Sequence, residues 1–324
     1  MNILVTGGAG YIGSHTVRML LKSGYSVVIF DNLSRGHFES VPEGVPFEKV
    51  DLQNFAELSN AFSKYKFDAI IHFAAFAYVG ESVENPKMYY DNNVRGSNNL
   101  ISAASDNGIS NFIFSSTCSV YGNPEIVPIP ETHKTNPINP YAKTKLLIEN
   151  ILHDFDKSKG LKYIALRYFN AAGDSDDSVI GESHNPEPHL IPRILFKALG
   201  KSDNLKVYGN DYPTKDGTCI RDYIHVNDLA SAHIKALDYL IRENKSDIIN
   251  IGTGVGCSVL EMIEIARKIT GNEINVEISE RREGDPAVLV ADNEKARKVL
   301  NWIPEYNLTK IIETAWNWHK NQKY

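Results

Sequence analysis

Residues 2–31 constrain this chain more than any other stretch. Asn2-Ile3-Leu4-Val5-Thr6 is a short apolar run of strand type. Gly7-Gly8-Ala9-Gly10-Tyr11-Ile12-Gly13 breaks it, and 14–22 then reads as a helix. Glycines let the backbone turn sharply and come close to a ligand, and the free N–H groups at the start of the helix suit a pyrophosphate. A second strand, 26–30, ends in Asp31. An acid roughly 20 positions beyond such glycines is where a dinucleotide's ribose 2′-hydroxyl is held, and its charge would repel a 2′-phosphate. The pattern predicts a bound dinucleotide, NAD in preference to NADP. Arg35, the cation nearest to Asp31 in the loop, reads as solvated.

Strand and helix signals keep alternating after Asp31. A strand at 46–50 ends in Asp51-Leu52, a helix follows at 54–65, and Ala69-Ile70-Ile71-His72-Phe73 is an apolar strand of buried parallel type. His72 reads as part of that strand, and Ala74 and Ala75 are small enough to let a cofactor approach. Asp51 has two readings left open, a contact to the adenine or part of the start of the next helix. A long helix is expected over 86–107, a strand over 111–115 ending in Ser115-Ser116-Thr117, a helix from Pro140, and a strand over 162–167 leading into Tyr168-Phe169-Asn170. This alternation predicts an α/β, doubly wound parallel sheet, with ligands at the strand ends.

A chain of 324 residues exceeds one ordinary core, so a second, smaller mixed α/β domain is expected. The boundary is placed at 170/171, just before the polar, proline-broken stretch 174–188. Residues 1–170 then form the NAD-binding domain and 171–324 the substrate domain, with about 226–251 returning to the first. Further helices are expected at 192–199, 226–241 and 258–269, a loop at 208–218, and a strand at 248–251.

A net charge of -6 offers nothing to nucleic acid, and no apolar run reaches the ~18 residues of a membrane span. Cys118, Cys219 and Cys257 show no paired spacing, which suits a reducing compartment and gives no metal motif. Met1 runs straight into the first strand, so a cytoplasmic protein with no metal is expected.

Tyr141 and Lys145 stand four apart on one helix face. An ammonium near a phenol favours the phenolate, and moving tyrosine from about 10 to near 7 takes about 4 kcal/mol, within reach of one lysine plus a positively charged nicotinamide. Alone the pair is common on exposed helices. In a chain with an NAD-type glycine turn it points to acid–base chemistry.

Thr6 to Gly13, Ser115-Ser116-Thr117 and Tyr141-Ala142-Lys143-Thr144-Lys145 resemble the extended short-chain dehydrogenase/reductase family. His72-Phe73-Ala74-Ala75, Val79-Gly80-Glu81-Ser82-Val83, Tyr89-Tyr90-Asp91-Asn92-Asn93, Arg167-Tyr168-Phe169-Asn170, Gly209 to Thr214, Arg221-Asp222-Tyr223-Ile224-His225-Val226 and Arg281 to Asp285 narrow the resemblance to its UDP-hexose 4-epimerases, over essentially the whole chain. The resemblance implies an isomerase that interconverts UDP-galactose and UDP-glucose through a 4-keto sugar. Tyr141 is then the base, Lys145 its modulator and Thr117 the hydrogen-bond partner of the reacting oxygen.

The resemblance also implies NAD contacts from Gly7, Gly10, Tyr11, Ile12, Gly13, Asp31, Asn32, Asp51, Leu52, Phe73, Ala74, Ala75, Asn92, Ser115, Tyr141, Lys145 and Tyr168. UDP-sugar contacts fall on Thr117, Asn170, His189, Leu190, Val207, Tyr208, Arg221, Arg282, Asp285 and Leu289, the arginines suiting a diphosphate. Leu289 matches a position that gates the sugar's C2 substituent, and being smaller than tyrosine it would leave room for N-acetylated sugars. A homodimer through helices 86–107 and 140–158 is implied as well. Two departures stand out: Ala77 where relatives often carry a cofactor-binding lysine, and His189 in place of an asparagine.

Rival readings are another nucleotide-sugar epimerase acting on uronates, a dehydratase, or a non-catalytic NAD-binding regulator. Dehydratases resemble one another in an Asp-Glu after the threonine, where this chain has Cys118-Ser119, and regulators commonly lack the Tyr-Lys pair.

Overall fold

The computed structural model describes residues 1–202, 204–282 and 285–324. Seven parallel strands lie in the order Asp247–Ile251, Lys162–Tyr168, Asn111–Ser115, Ala69–His72, Asn2–Thr6, Ser26–Asp31, Phe47–Lys49. The chain starts in Asn2–Thr6, winds outward to Phe47–Lys49, then crosses back to Ala69–His72. The carboxyl ends of Asn2–Thr6 and Ala69–His72 therefore flank the point where the winding reverses, and a crevice opens there.

Alternate residues of one strand feed different cores, because side chains alternate across a sheet. Ile3 and Val5 pack with Val17 and Leu20 of helix Tyr11–Lys22 and with Leu229 and Leu237 of helix Val226–Glu243. Leu4 faces the other way, onto Phe62, Leu100 and Ile148 of helices Phe55–Phe62, Gly96–Asp106 and Pro140–Lys159. Each fully buried aliphatic chain contributes roughly 1.5–3 kcal/mol. His72, buried in its strand, bonds Thr6 Oγ1 at 2.6 Å and Ser97 Oγ at 2.7 Å, and burial lowers it to about 3, so it stays neutral.

The expected single helix over 86–107 is instead three pieces: Pro86–Tyr89, a π-helical turn Tyr90–Arg95, and Gly96–Asp106. The wider turn brings Asn93 inward, where its amide bonds Phe76 N and O at 2.8 and 3.0 Å and Thr144 Oγ1 at 3.1 Å. Such turns recur at functional sites. Here it carries Asn92 at the edge of the crevice.

The second layer centres on strand Ile220–His225, flanked by Gly256–Ser258 and Val288–Leu289 and paired also with Asn170–Ala172. Lys206–Tyr208 pairs with Glu277–Ser279. Helices Leu190–Ala198, Val259–Thr270 and Leu308–Lys320 enclose its core. The first of these begins two residues before its expected start, and Ser258 is the cap of the second, in a capping box with Glu261. The loop expected at 208–218 runs between Lys206–Tyr208 and Ile220–His225.

Candidate active site

The crevice is built mainly from backbone. Gly7 turns at φ +72°, and a Cβ there would lie 2.5 Å from Ala74 N; at Gly13 it would lie 2.1 Å from Gly7 O. Helix Tyr11–Lys22 starts at Gly10 with no side-chain cap, so its first N–H groups are left for an anion. Asp31 closes the far side: its carboxylate accepts Ala9 N at 3.0 Å and Leu33 N at 2.8 Å, which fixes it at the strand end. Asn32, Asp51, Leu52, Phe73, Ala74, Ala75 and Asn92 line the same end. Asp51 is not the helix cap, since Asn54 fills that role through Glu57 N at 3.3 Å. A glycine cradle, an uncapped helix start and an anchored acid together fit NAD.

Arg35 departs from expectation. Its guanidinium pairs with Glu81 at 2.6 Å and lies over the rings of Tyr78 and Phe76 at 4.8 and 5.4 Å. The pairing with Glu81 compensates the charge that a 2′-phosphate would need, which supports the preference drawn from Asp31.

From the crevice a cavity of about 340 Å³ continues past Tyr11, Ile12, Gly13 and Ser115 to Thr117, Tyr141, Lys145, Tyr168 and Asn170. Asn139 caps helix Pro140–Lys159 through Ala142 N at 2.9 Å, which sets the turn on which Tyr141 sits. Lys145 Nζ donates to Ser115 O at 2.8 Å and lies 6.0 Å from the Tyr141 ring centre. Ser115 Oγ bonds Tyr168 OH at 2.8 Å, and Thr117 accepts Ser119 N at 3.2 Å.

Burial pushes the Tyr141 phenol well above its ordinary value, with Thr117 pulling the other way. Burial lowers Lys145 to about 7, with Glu149 opposing. In the protein alone desolvation dominates at the phenol, while the Lys145 ammonium is turned to a carbonyl. Lowering the phenol requires a further positive charge beside it.

Glu149, which sequence reasoning passed over, continues the same helix face at the next interval of four. It accepts Ser116 Oγ at 2.5 Å and Arg167 at 2.6 and 3.0 Å, and Arg167 reaches Tyr121 OH at 3.1 Å. This buried pair braces the floor beneath Lys145. The spacing 141, 145, 149 was the available signal.

The sequence matches the NAD dependent epimerase/dehydratase family over residues 3–252. The chain belongs to that family. It is 52% identical over 322 residues to a UDP-glucose 4-epimerase of Lacticaseibacillus casei, covering 99% of this chain and 97% of that one. A UDP-glucose 4-epimerase of Rhizobium meliloti (strain 1021) is 51% identical over 321 residues, covering 99% and 98%. The crystal structure of UDP-glucose 4-epimerase from Brucella ovis in complex with NAD superposes with a TM-score of 0.95 at 48% identity, covering 98% of this chain and 97% of that one.

In this epimerase/dehydratase chain the expected sugar-nucleotide residues divide into two groups. Thr117, Asn170, His189 and Leu190 line the cavity. Tyr208, Arg221, Arg282 and Asp285 gather beyond it: Arg282 lies over the Tyr208 ring at 4.0 Å, and Arg221 stands 3.6 Å from Asp285 while donating to Pro286 O at 2.8 Å. Glu283 and Gly284 of that motif lie outside the described residues. Arg221 shares a strand face with Tyr223, which does line the cavity, so the two groups adjoin.

Two of the expected sugar-nucleotide residues are buried in cores. Val207 buries its side chain in the second core, leaving only backbone for a ligand. Leu289 is buried in one apolar cluster with Cys118 and Phe169, which line the cavity.

His189, expected only as a nucleotide neighbour, pairs with Glu182 and Glu187, which also pair with His184, and its ring centre lies 5.1 Å from that of His184. Burial opposes their charges, but the carboxylates more than offset it and raise His184 to about 9 and His189 to about 10. The repeated Glu-x-His spacing was in the sequence, but composition gave it no partner.

Proposed function

We propose that this chain catalyses the NAD-dependent interconversion of UDP-galactose and UDP-glucose by inversion at C4. The observation that carries the reading is the meeting of Tyr141, Lys145 and Thr117 where the glycine-lined crevice opens into the sugar-sized cavity. Residues 1–170 with about 226–251 form the NAD-binding unit, and the rest of 171–324 the UDP-sugar unit. Gly7, Gly10 and Gly13 would receive the pyrophosphate and Asp31 the adenosine ribose.

Bound NAD supplies the acceptor, and later the donor, of a hydride at the sugar's C4. Tyr141 takes the proton of the 4-hydroxyl and returns it to the inverted alcohol. Thr117 holds the oxygen that becomes the 4-keto group, and Lys145, tied to Ser115 O, would act on the phenol together with the positive charge of the oxidised cofactor. Asn170, His189 and Leu190 line the space in which the sugar turns, and the arginine cluster beyond them would bind the diphosphate.

A cytoplasmic location and a homodimer belong to the same reading. Among the described residues no helix is long and apolar enough to cross a membrane. Val83, Tyr90 and Leu147 are exposed on segments that pack side by side, which favours a homodimer through that face.

Purified protein incubated with UDP-galactose should yield UDP-glucose with no net accumulation of reduced cofactor. Loss of water from the sugar, or no product at all, would overturn the assignment in favour of a dehydratase or a regulator.

A further inference from the structure

Glu182, His184, Glu187 and His189 occur within eight residues, and the fold brings one donor atom of each within 4.8 Å of all the others. His189 Nδ1 lies 2.8 Å from Glu182 Oε1 and 2.9 Å from Glu187 Oε1. His184 Nδ1 lies 3.3 Å from Glu182 Oε1 and 3.4 Å from Glu187 Oε2. Four tetrahedral ligands at zinc bond lengths of about 2.0–2.2 Å are separated by about 3.3–3.6 Å, so only small closures and openings divide this cluster from a coordination shell.

Ion pairing alone leaves part of the cluster unexplained. Charge-assisted N–H···O bonds run at about 2.7–2.9 Å, and the His184 contacts are well beyond that. His184 Nδ1 and Glu187 Oε2 are buried and face each other at 3.4 Å without forming a hydrogen bond to any group, and the Glu187 side chain is only 6% exposed. A buried carboxylate oxygen without a donor is costly, yet this one is aimed at the other donors.

We propose that Glu182, His184, Glu187 and His189 bind one zinc ion as a closed, four-ligand structural site. Two imidazole nitrogens and two carboxylate oxygens suit a borderline divalent cation, whereas calcium or magnesium would ask for more oxygens. Two carboxylates cancel the ion's charge, so the partly buried assembly carries no net charge. The site ties the link between the two layers to both sides of the cavity. His184 packs edge-on against Tyr11 and Tyr78, with ring centres 6.3 and 5.7 Å apart. His189 immediately precedes helix Leu190–Ala198, whose Leu190, Ile191 and Pro192 line the cavity. The proposal stands whether or not the chain is an epimerase.

Full-length protein dialysed against a chelator and titrated with Co²⁺ alone should bind about one ion per chain, develop the intense visible absorption of four-coordinate cobalt, and lose it to one equivalent of Zn²⁺. Protein purified without chelator should carry about one zinc per chain by elemental mass spectrometry. His184→Gln and Glu187→Gln should each weaken cobalt binding by about 100-fold or more. Absence of both zinc and the cobalt bands in the wild type, weak six-coordinate bands in their place, or undiminished binding in both variants would overturn the site. If a variant does not fold, the wild-type spectrum alone decides.

Discussion

At the NAD end of the cleft the lining comes from strand ends of one parallel sheet and from turns directly after them: Gly7 after Asn2–Thr6, Asp31 closing Ser26–Asp31, Phe73 after Ala69–His72, Ser115 closing Asn111–Ser115. At the sugar end it comes from a link, a helix start and short strands whose partners lie far apart in the chain, as Asn170–Ala172 lies beside Ile220–His225. The first end is backbone held by a core on both faces, so its geometry follows from the sheet. The second is side chains held by charge pairs, so its geometry depends on each partner. A methyl group should therefore do damage at the first end, and a lost charge or packing contact at the second.

The largest effect is expected where the two ends meet. Tyr141→Phe should lower kcat by about 10²–10⁴-fold while NAD and UDP bind as in the wild type, since one proton-transfer group is lost. Steady-state kinetics beside binding titrations check this, and a variant that keeps half its turnover would remove Tyr141 from the chemistry.

Gly13→Ala sharpens the contrast itself. The added Cβ falls 2.1 Å from Gly7 O, and backbone strain of about 1–3 kcal/mol corresponds to roughly 5–140-fold weaker NAD binding. UDP binding should stay within about threefold of the wild type by calorimetry, because the second end does not share that backbone. Equal losses for both ligands would erase the distinction.

Leu289→Tyr is the mildest test and probes the sugar end through packing. The larger phenol crowds the buried cluster that holds Cys118 and Phe169, both in the cavity wall, and should cut kcat/KM for UDP-N-acetylgalactosamine about tenfold relative to UDP-galactose. An equal change for both sugars would show Leu289 to be core packing and no gate.

What was legible in the sequence follows the same division. The strand, glycine turn, helix and acid of residues 2–31 lie close together in the chain, and each obeys a local rule, so the α/β parallel sheet and its crevice could be read directly. The π-helical turn within 86–107 could not, because it is stabilised by the Asn93 bonds to Phe76 and Thr144, which local periodicity does not encode. Strands as short as Asn170–Ala172 and Val288–Leu289 carry no measurable alternation and exist through their pairing with Ile220–His225.

By itself, then, the sequence determined the sheet, the glycine cradle and the Tyr141–Lys145 pair, because strand and helix periods and turn chemistry act over a few residues. Only the tertiary structure decided that Arg35 is paired with Glu81, that burial leaves the Tyr141 phenol raised, that Leu289 shares a buried cluster with Cys118 and Phe169, and that two glutamates and two histidines converge on one point. Those outcomes depend on desolvation and on distances between groups remote in the chain, and both come into being only when the cores close.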